Sequence, residues 1–530
     1  MSDVIEVVPD DVAGLKSQVL DLQTQVRKLT QDYNDLRNDY LWTRELYTSL
    51  VARYFRASSE RNAVDPAQKV LEFNEAEAHS TQAPIGPESV TVVAEHERKK
   101  RGRKPRPENM ETVEVIHDVS DAEKLCPCCG KMRPAMGAEE TVEYDLVPAH
   151  VVRKIHKRMK YGSCHCEGFA DSDAPAVVMG PPVPKIVPKS PFTNRTIAFF
   201  LTGKFEDAIP FYRMEKILLR AGLEVTRATL CNLAIGVGRA IGNLIDAMWD
   251  DILHSEVILM DETTLQVLRE PGRAAQTMSY MWLTMGFRDR RQISLFHYHP
   301  TRGKGVPETS LEGFSGYLQT DGYEGYTSTG SRDGVIHVGC WAHIRRKFVD
   351  AQTVAGPGGL ADEAIAICNR IFEIERGLRT RLNAGAITDD QFLEKRRAKA
   401  EAVFSEFRLW LARRSLEVAR RTKLGEAIYY AQGQIDKAER FVGHLLLTPS
   451  TNQVENGIRP FVVGRKGWLF NDTPLGAHAS AGIFSLIETA KANGHDPFKY
   501  LTYLFEQLPR AATLDEQLAL LPYRLDPKSY

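Results

Sequence analysis

Two aspartates stand where short apolar runs give out. Asp261 follows Val257-Ile258-Leu259-Met260, and Asp321 follows Tyr317-Leu318-Gln319-Thr320. Each run reads as a buried strand that delivers a carboxylate to the edge of the core. A carboxylate there is too costly to bury unpaired. Two such strand ends side by side bring like charges together, and like charges that close need a cation between them. Hard divalent cations take oxygen ligands, and Mg²⁺ keeps several waters beside one or two carboxylates. A third carboxylate from a helix completes a site for two ions about 3.5–4 Å apart, which activates water or a 3′-hydroxyl for phosphodiester displacement. Glu455, in Asn452-Gln453-Val454-Glu455-Asn456-Gly457, is the candidate third ligand. A basic and aromatic segment follows it, in which Arg459, Arg465 and Lys466 are suited to DNA phosphates beside the metals. Any one strand-end aspartate is more often a turn residue than a ligand. The three acids together, on the right kinds of element, carry the reading.

A second constellation is built from cysteine. Cys126-Pro127-Cys128-Cys129-Gly130 holds a C-x-x-C knuckle through Cys126 and Cys129, and Cys164-His165-Cys166 comes later. Two paired sets of soft ligands suit a tetrahedral structural Zn²⁺ held by Cys126, Cys129, Cys164 and Cys166, with His165 able to substitute. A redox pair is disfavoured because no strand-helix-strand unit surrounds the motif.

The elements that must position these groups can be read along the chain. Leu15, Leu22, Leu29, Leu36 and Leu50 share one heptad position, with Thr43 filling the gap. Val19, Val26, Tyr33, Tyr40 and Tyr47 share another. Alternating three-four spacing predicts a left-handed coiled coil over 1–55 that joins a second copy, the alternative being an amphipathic helix packed on its own protein. Residues 56–115 have linker composition and contain Arg98-Lys99-Lys100-Arg101-Gly102-Arg103-Lys104-Pro105-Arg106, where seven of nine residues are basic. Gly and Pro keep that segment extended, so Arg101, Arg103 and Lys104 can lie along a minor groove or a phosphate backbone. The cysteine module spans 116–175.

Residues 185–250 predict a helical DNA-binding region. Asn194–Leu201, Pro210–Ala221 and Thr226–Ile241 are amphipathic, and Gly222 breaks the pattern in the manner of a helix-turn-helix. From 251 to 480 strands appear: Glu256–Met260, Met278–Phe287, Gln292–Tyr298, Tyr317–Thr320 and Val335–Gly339. Three strands, a short helix, a strand, a helical region and a strand predict a mixed sheet of the ribonuclease H type. A helical insertion at about 350–445 separates Asp321 from Glu455. Further helices close the chain over 481–530. In Cys340-Trp341-Ala342-His343-Ile344-Arg345-Arg346-Lys347-Phe348, the Cys and Trp read as core and His343 as a structural hydrogen-bonding residue. Arg345, Arg346 and Lys347 read as DNA contacts.

Composition sets outer bounds. The 530 residues are 43% hydrophobic and 26% charged with a net charge of -1, ordinary for a globular protein of several domains. No apolar run reaches membrane-spanning length, and the acidic start lacks the order of a secretory signal. A cytoplasmic protein with no membrane association is expected. The overall expectation is a multidomain α+β chain.

At this point the motifs resemble those of the insertion-sequence-66 family of DDE transposases, along nearly the whole chain. The leading heptads resemble that family's leucine-zipper-like start, Leu71-Glu72-Phe73-Asn74-Glu75-Ala76-Glu77 its linker motif, and Arg101-Gly102-Arg103-Lys104-Pro105 its basic motif. Asp261-Glu262-Thr263 and Gln319-Thr320-Asp321-Gly322-Tyr323 are similar to its first two catalytic motifs. The Cys340–Phe348 segment, Gly464-Arg465-Lys466-Gly467-Trp468-Leu469-Phe470 and Glu488-Thr489-Ala490-Lys491-Ala492-Asn493-Gly494 follow in the family's order. The resemblance implies a ribonuclease-H-like enzyme that cleaves and joins DNA with two Mg²⁺ or Mn²⁺ ions on Asp261, Asp321 and Glu455. Its partners would be terminal inverted repeats, target DNA, a second or further copy of itself and possible accessory proteins, in the bacterial cytoplasm at the nucleoid. Two positions depart from the family pattern: Asn456 stands where Arg is usual, and Ser163 where the second cysteine pair usually begins. A non-catalytic DNA-binding regulator, such as a decayed copy, is the rival expectation, and a coiled-coil scaffold the next.

Overall fold

The computed structural model describes residues 17–29, 151–162, 177–356 and 358–530, with single positions at 14, 32, 33, 36, 40, 43, 128, 131 and 150. Cys126, Cys129, Cys164, Cys166, Arg101, Arg103 and Lys104 lie outside the described residues. The chain parts into residues 82–151 and the remainder, and every element named below belongs to the remainder. Residues 17–29 are helical, with Val19, Leu22, Val26 and Leu29 all exposed. A small antiparallel hairpin pairs β1 (Lys160–Gly162) with β2 (Val177–Met179).

Four helices precede the main sheet: α1 (Asn194–Phe205), α2 (Phe211–Arg220), α3 (Arg227–Ala240) and α4 (Gly242–Leu253). Thr193 and Thr226 cap α1 and α3 by accepting the backbone N–H of Thr196 and Thr229. The four share one continuous hydrophobic core with the sheet, through side chains such as Ile197, Leu230, Leu244 and Met248.

The main sheet contains β3 (Val257–Val267), β4 (Met278–Arg288), β5 (Arg291–His299), β6 (Gly316–Gln319) and β7 (Val335–Val338) in the order β5-β4-β3-β6-β7. β3, β4 and β5 are antiparallel, and β3, β6 and β7 are parallel. Asp289 and Arg290, at φ 50° and 64°, form the two-residue turn of the β4–β5 hairpin, whose positive φ values match strand twist. Helix α5 (Gly305–Ser310) leads into β6, and the short α6 (Thr327–Gly330) into β7.

Helix α7 (Trp341–Ala355) begins the helical part that separates the two halves of the site. It is followed by α8 (Leu360–Asn383), α9 (Asp389–Glu417) and α10 (Lys423–Ala438). Trp341 anchors this bundle: it stacks on Phe404 at 5.6 Å and donates its indole N–H to the Ala438 carbonyl at 2.9 Å. Arg396 of α9 is wholly buried. It donates to the carbonyls of Phe441 (2.9 Å), His444 (3.0 Å) and Leu447 (3.2 Å) and pairs with Glu375, while Arg379 holds the Leu447 carbonyl at 2.9 Å. These two arginines fix the segment that returns to α11 (Asn452–Trp468).

Strand β8 (Phe470–Asn471) then pairs with β3, and α12 (Pro474–Ala492), α13 (Pro497–Gln507) and α14 (Leu514–Leu518) complete the chain. Helix α12 lies on the open edge of β5. The N–H of Phe296 donates to Ser485 Oγ (2.8 Å) and that of Ser294 to Thr489 Oγ1 (3.0 Å), so side-chain oxygens stand in for a missing strand.

Candidate active site

The register of β3 with β6 brings the two aspartates together. Leu259 is partnered with Gln319, and two residues further along each parallel strand reach Asp261 and Asp321. Neighbouring strands lie about 4.8 Å apart; Asp321 stands two residues past the end of β6, and its charge acts on Asp261. Asp261 does not end its strand, as the sequence suggested. β3 continues to Val267 because β4 pairs with it as far as Gln266. What ends there is its parallel neighbour. β6 covers Val257–Leu259 and β8 covers Gln266–Val267, so residues 260–265 form a notch in that edge of β3, with Asp261 inside.

Helix α11 spans the notch and brings Glu455 in its first turn. It settles closely because position 457 is glycine: a Cβ there would stand 2.9 Å from Leu283 Cδ2 and 3.0 Å from Met285 Cε. Glu455 Oε1 accepts from Thr451 Oγ1 at 2.7 Å and lies 3.9 Å from His343 Nδ1. The Thr451 N–H donates to the buried Cys340 Sγ at 3.3 Å. Burial opposes charge on His343, but Cys340 and Glu455 outweigh it and carry the imidazole up to about 9. Both neighbours thus favour the charged form of the imidazole beside Glu455.

Asp261 has no such relief. Burial and the charges of Glu262, Glu455 and Asp321 all push its carboxyl well above the usual carboxylate range, and one backbone N–H, from Glu262 at 2.9 Å, opposes them. Asp321 accepts the Tyr323 N–H at 2.9 Å. The structure thus gathers Asp261, Asp321 and Glu455 into one electrostatic field. Among the described residues no three Asp, Glu, His or Cys side chains already converge on a single ligation point.

Residues 189–479 match the model of the Transposase IS66 family, residues 485–523 its C-terminal element, and residues 42–115 a model described as Transposase C of IS166 homeodomain. The chain belongs to the IS66 transposase family. Two proteins of Sinorhizobium fredii, both described as uncharacterized, are similar to it over most of their length. Protein y4qI is 29% identical over 487 residues, 89% of this chain and 86% of that protein. Protein y4jD is 25% identical over 537 residues, 98% and 97% of the two chains.

In this IS66 chain the basic residues fall into distinct settings. Arg459 and Lys466 are exposed on α11, the helix that carries Glu455. Arg465 is half-buried and donates to Thr264 Oγ1 at 2.8 Å and Thr263 Oγ1 at 3.3 Å, within the notch. Lys347 is exposed, its ammonium 5.5 Å from the Tyr430 ring, and Arg346 is half-buried. Arg345 departs from the expectation of a DNA contact: it is 3% exposed and donates Nε to Asn369 Oδ1 at 2.7 Å, because it shares the inner face of α7 with Trp341 and Phe348. No single helix among the described residues is long and apolar enough to cross a membrane.

The sequence reading missed the second layer of the site. Glu262 points to the opposite face of β3 from Asp261 and accepts from Arg302 Nε (2.5 Å) and from the Tyr326 hydroxyl. Thr451 orients Glu455. Glu262 was visible as a second acid in Asp261-Glu262-Thr263. Its partners, about 40 and 64 residues on, had no local signal.

Proposed function

We propose that this chain is a DNA transposase that binds the ends of an insertion sequence and cleaves and joins DNA on a ribonuclease-H-like core. The observation that carries the reading is that Asp261 and Asp321 each stand two residues past the last register pair of β3 with β6, and that the charges of Glu262, Glu455 and Asp321 all press on the buried carboxyl of Asp261. The sheet order β5-β4-β3-β6-β7, with helices inserted before Glu455, supports the ribonuclease-H-like assignment.

A buried carboxyl pressed by three other acids, with no ion-pair partner among the described residues, fits a divalent cation as its counter-charge. Asp261, Asp321 and Glu455 would hold two Mg²⁺ or Mn²⁺ ions. Such ions, when bound, supply the charge that favours an ionised attacking oxygen and stabilises the leaving one. The protein's own residues do the rest. Thr451 fixes the carboxylate of Glu455, and His343 balances its charge from the α7 side. Arg465 steadies the notch through Thr263 and Thr264, and Arg459 and Lys466 on the exposed part of α11 take DNA phosphates. In the first step water attacks the phosphorus at the element end, the P–O3′ bond breaks, and a 3′-hydroxyl and a 5′-phosphate result. In the second, that hydroxyl attacks a target phosphodiester at the same carboxylates, and the target's own P–O3′ bond breaks to release its 3′-hydroxyl.

Binding of terminal inverted repeats falls to the helices of 185–250, the basic segment with Arg101, Arg103 and Lys104, and a zinc module on Cys126, Cys129, Cys164 and Cys166. The exposed apolar row Val19, Leu22, Val26 and Leu29 fits a coiled coil between copies, one per DNA end. The deciding experiment is a strand-transfer assay with the element's own ends and Mg²⁺ or Mn²⁺. Asp321→Asn and Glu455→Gln are expected to retain end binding and lose cleavage and joining. Wild-type activity in either variant would overturn the reading, and so would wild-type protein that binds ends but never cuts.

A further inference from the structure

Arg302 lies in the loop between β5 and α5, outside every motif the sequence displays. Two contacts fix its guanidinium plane and a third holds its backbone. Nε donates to Glu262 Oε1 at 2.5 Å, the guanidinium lies over the Tyr323 ring with its carbon 3.8 Å from the centroid, and the Tyr323 hydroxyl donates back to the Arg302 carbonyl at 2.8 Å. Glu262 itself is held, its side chain 2% exposed and its second oxygen bonded by the Tyr326 hydroxyl. The same Tyr323 donates its backbone N–H to Asp321 at 2.9 Å. Arg302 is therefore tied to the backbone turn that positions the second aspartate, and the charge of Asp321 acts on it.

The other end of the side chain is free. Among the described residues the two terminal nitrogens of Arg302 have no partner, and the side chain is 41% exposed. An arginine present only to neutralise Glu262 gains nothing from such an open fork. A guanidinium whose plane is set by Nε and by stacking, with neither terminal nitrogen partnered among the described residues, matches the bidentate geometry of a phosphate.

We propose that Arg302 is a phosphate-binding residue of the active site, gripping a nucleic-acid backbone phosphate next to the one processed at Asp261 and Asp321. The proposal rests on the phosphodiester chemistry proposed above and adds a residue to it. Tyr323 and Glu262 then act as positioning residues: they hold the fork open toward the strand before DNA arrives, so that binding need not order it.

The test is single-turnover cleavage of end-bearing DNA in Mn²⁺, with one methylphosphonate placed in turn at each position around the cut. The variant is Arg302→Gln combined with Glu262→Gln, which leaves no buried charge unpaired. Wild type is expected to lose about 10- to 100-fold at one flanking position, the range for a hydrogen bond to a charged group. The double variant is expected to start slower by a similar factor and to lose nothing more at that position, while matching wild type's sensitivity elsewhere. A general folding defect would slow every substrate equally and leave the sensitivity profile unchanged, so it counts against the proposal. Arg302→Lys, which keeps the charge without the fork, is expected to recover part of the rate and part of the sensitivity. A double variant that cuts at the wild-type rate, or that keeps full sensitivity at every position, overturns the assignment. Asp321→Asn in parallel separates the two levels: if it is inactive while the Arg302 variant behaves as wild type, this inference alone falls. If it is active, the parent reading falls as well.

Discussion

Replacing Asp261 with asparagine should make the metal-free protein more stable while abolishing its activity. Asp261 lies two residues past the last β3–β6 register pair, Asp321 stands two residues past it on the other chain segment, and the two charges act on each other. At a separation of about 5 Å and an effective dielectric of about 20, two unit charges repel by about 3 kcal/mol. Glu262 and Glu455 add to this, while His343 and solvent at the half-open notch take part of it back. The expected gain is about 1–3 kcal/mol at neutral pH. Asparagine keeps the one favourable contact, since its Oδ1 can still accept the Glu262 N–H. The sign with pH follows from the raised carboxyl. A group whose folded value lies above its unfolded value favours folding in acid and loses that contribution as pH rises through the folded value. The advantage of the variant should therefore vanish in acid and grow toward neutrality. Mg²⁺ or Mn²⁺ should reverse the order. An ion bound only by the folded protein stabilises it by about 2.7 kcal/mol at 100 times its dissociation constant, and the variant should gain far less. The assay is thermal or urea denaturation of both proteins in chelator and in millimolar divalent ion, from pH 5 to 8. A variant less stable than wild type in chelator at neutral pH, or equal stabilisation of both by metal, would refute the idea that the site stores like-charge repulsion for a cation.

Further outcomes follow from the scaffold. Arg396→Met removes a wholly buried guanidinium that holds three carbonyls and Glu375, so urea denaturation should show a loss of about 3–5 kcal/mol; Glu375→Gln added to it should restore part. Glu488 is raised to about 7 by burial, against the pull of Lys491, so its contribution to stability is present in acid and lost as pH rises through 7. Glu488→Gln should thus be more stable than wild type at pH 8, by about 3 kcal/mol at most, with the difference closing below pH 5. Gly238→Ala would place a Cβ 2.7 Å from Ala479 Cβ and 2.8 Å from its Cα, where backbone cannot swing aside, and should cost about 1–3 kcal/mol in the same measurement.

How much of this was legible depended on whether the signal was local. The amphipathic stretches at Asn194–Leu201, Pro210–Ala221 and Thr226–Ile241 became α1, α2 and α3 with ends moved by a few residues, because capping threonines and Gly222 mark their limits. The strands at Met278–Phe287 and Gln292–Tyr298 likewise stand close to where their β-branched and aromatic content put them. Asp261-Glu262-Thr263-Thr264 was misread as a strand end because its side chains are polar. Those residues stay in the sheet through β4, although their other edge lies open. Strand β8 is two residues long and leaves no pattern. Arg345 was misread for a different reason: a run of three basic residues suggested a surface. Yet Trp341, Ile344, Arg345 and Phe348 follow three-four spacing, which places the arginine on the buried side of α7. That error could have been avoided from the sequence. The contacts of Glu262 with Arg302 and Tyr326 could not, since nothing in either segment names the other.

The position of the notch explains why so much structure is spent around three acids. A continuous ladder on both edges of β3 would stabilise the sheet, but it would close the site. Instead, β6 stops at Gln319 and β8 resumes the pairing only at Phe470, so the backbone of residues 260–265 is left open on that edge beside Asp261. An open edge with clustered like charges tends to move apart, and the surrounding elements resist this. α11 is pressed onto β4 through Gly457, the Arg396 and Arg379 carbonyl bonds brace the segment before it, and α12 closes the far edge of the sheet through Ser485 and Thr489. On this view the helical insertion is a brace on the approach to Glu455. Its removal, with the two ends rejoined, should leave Asp261 and Asp321 in register and release Glu455.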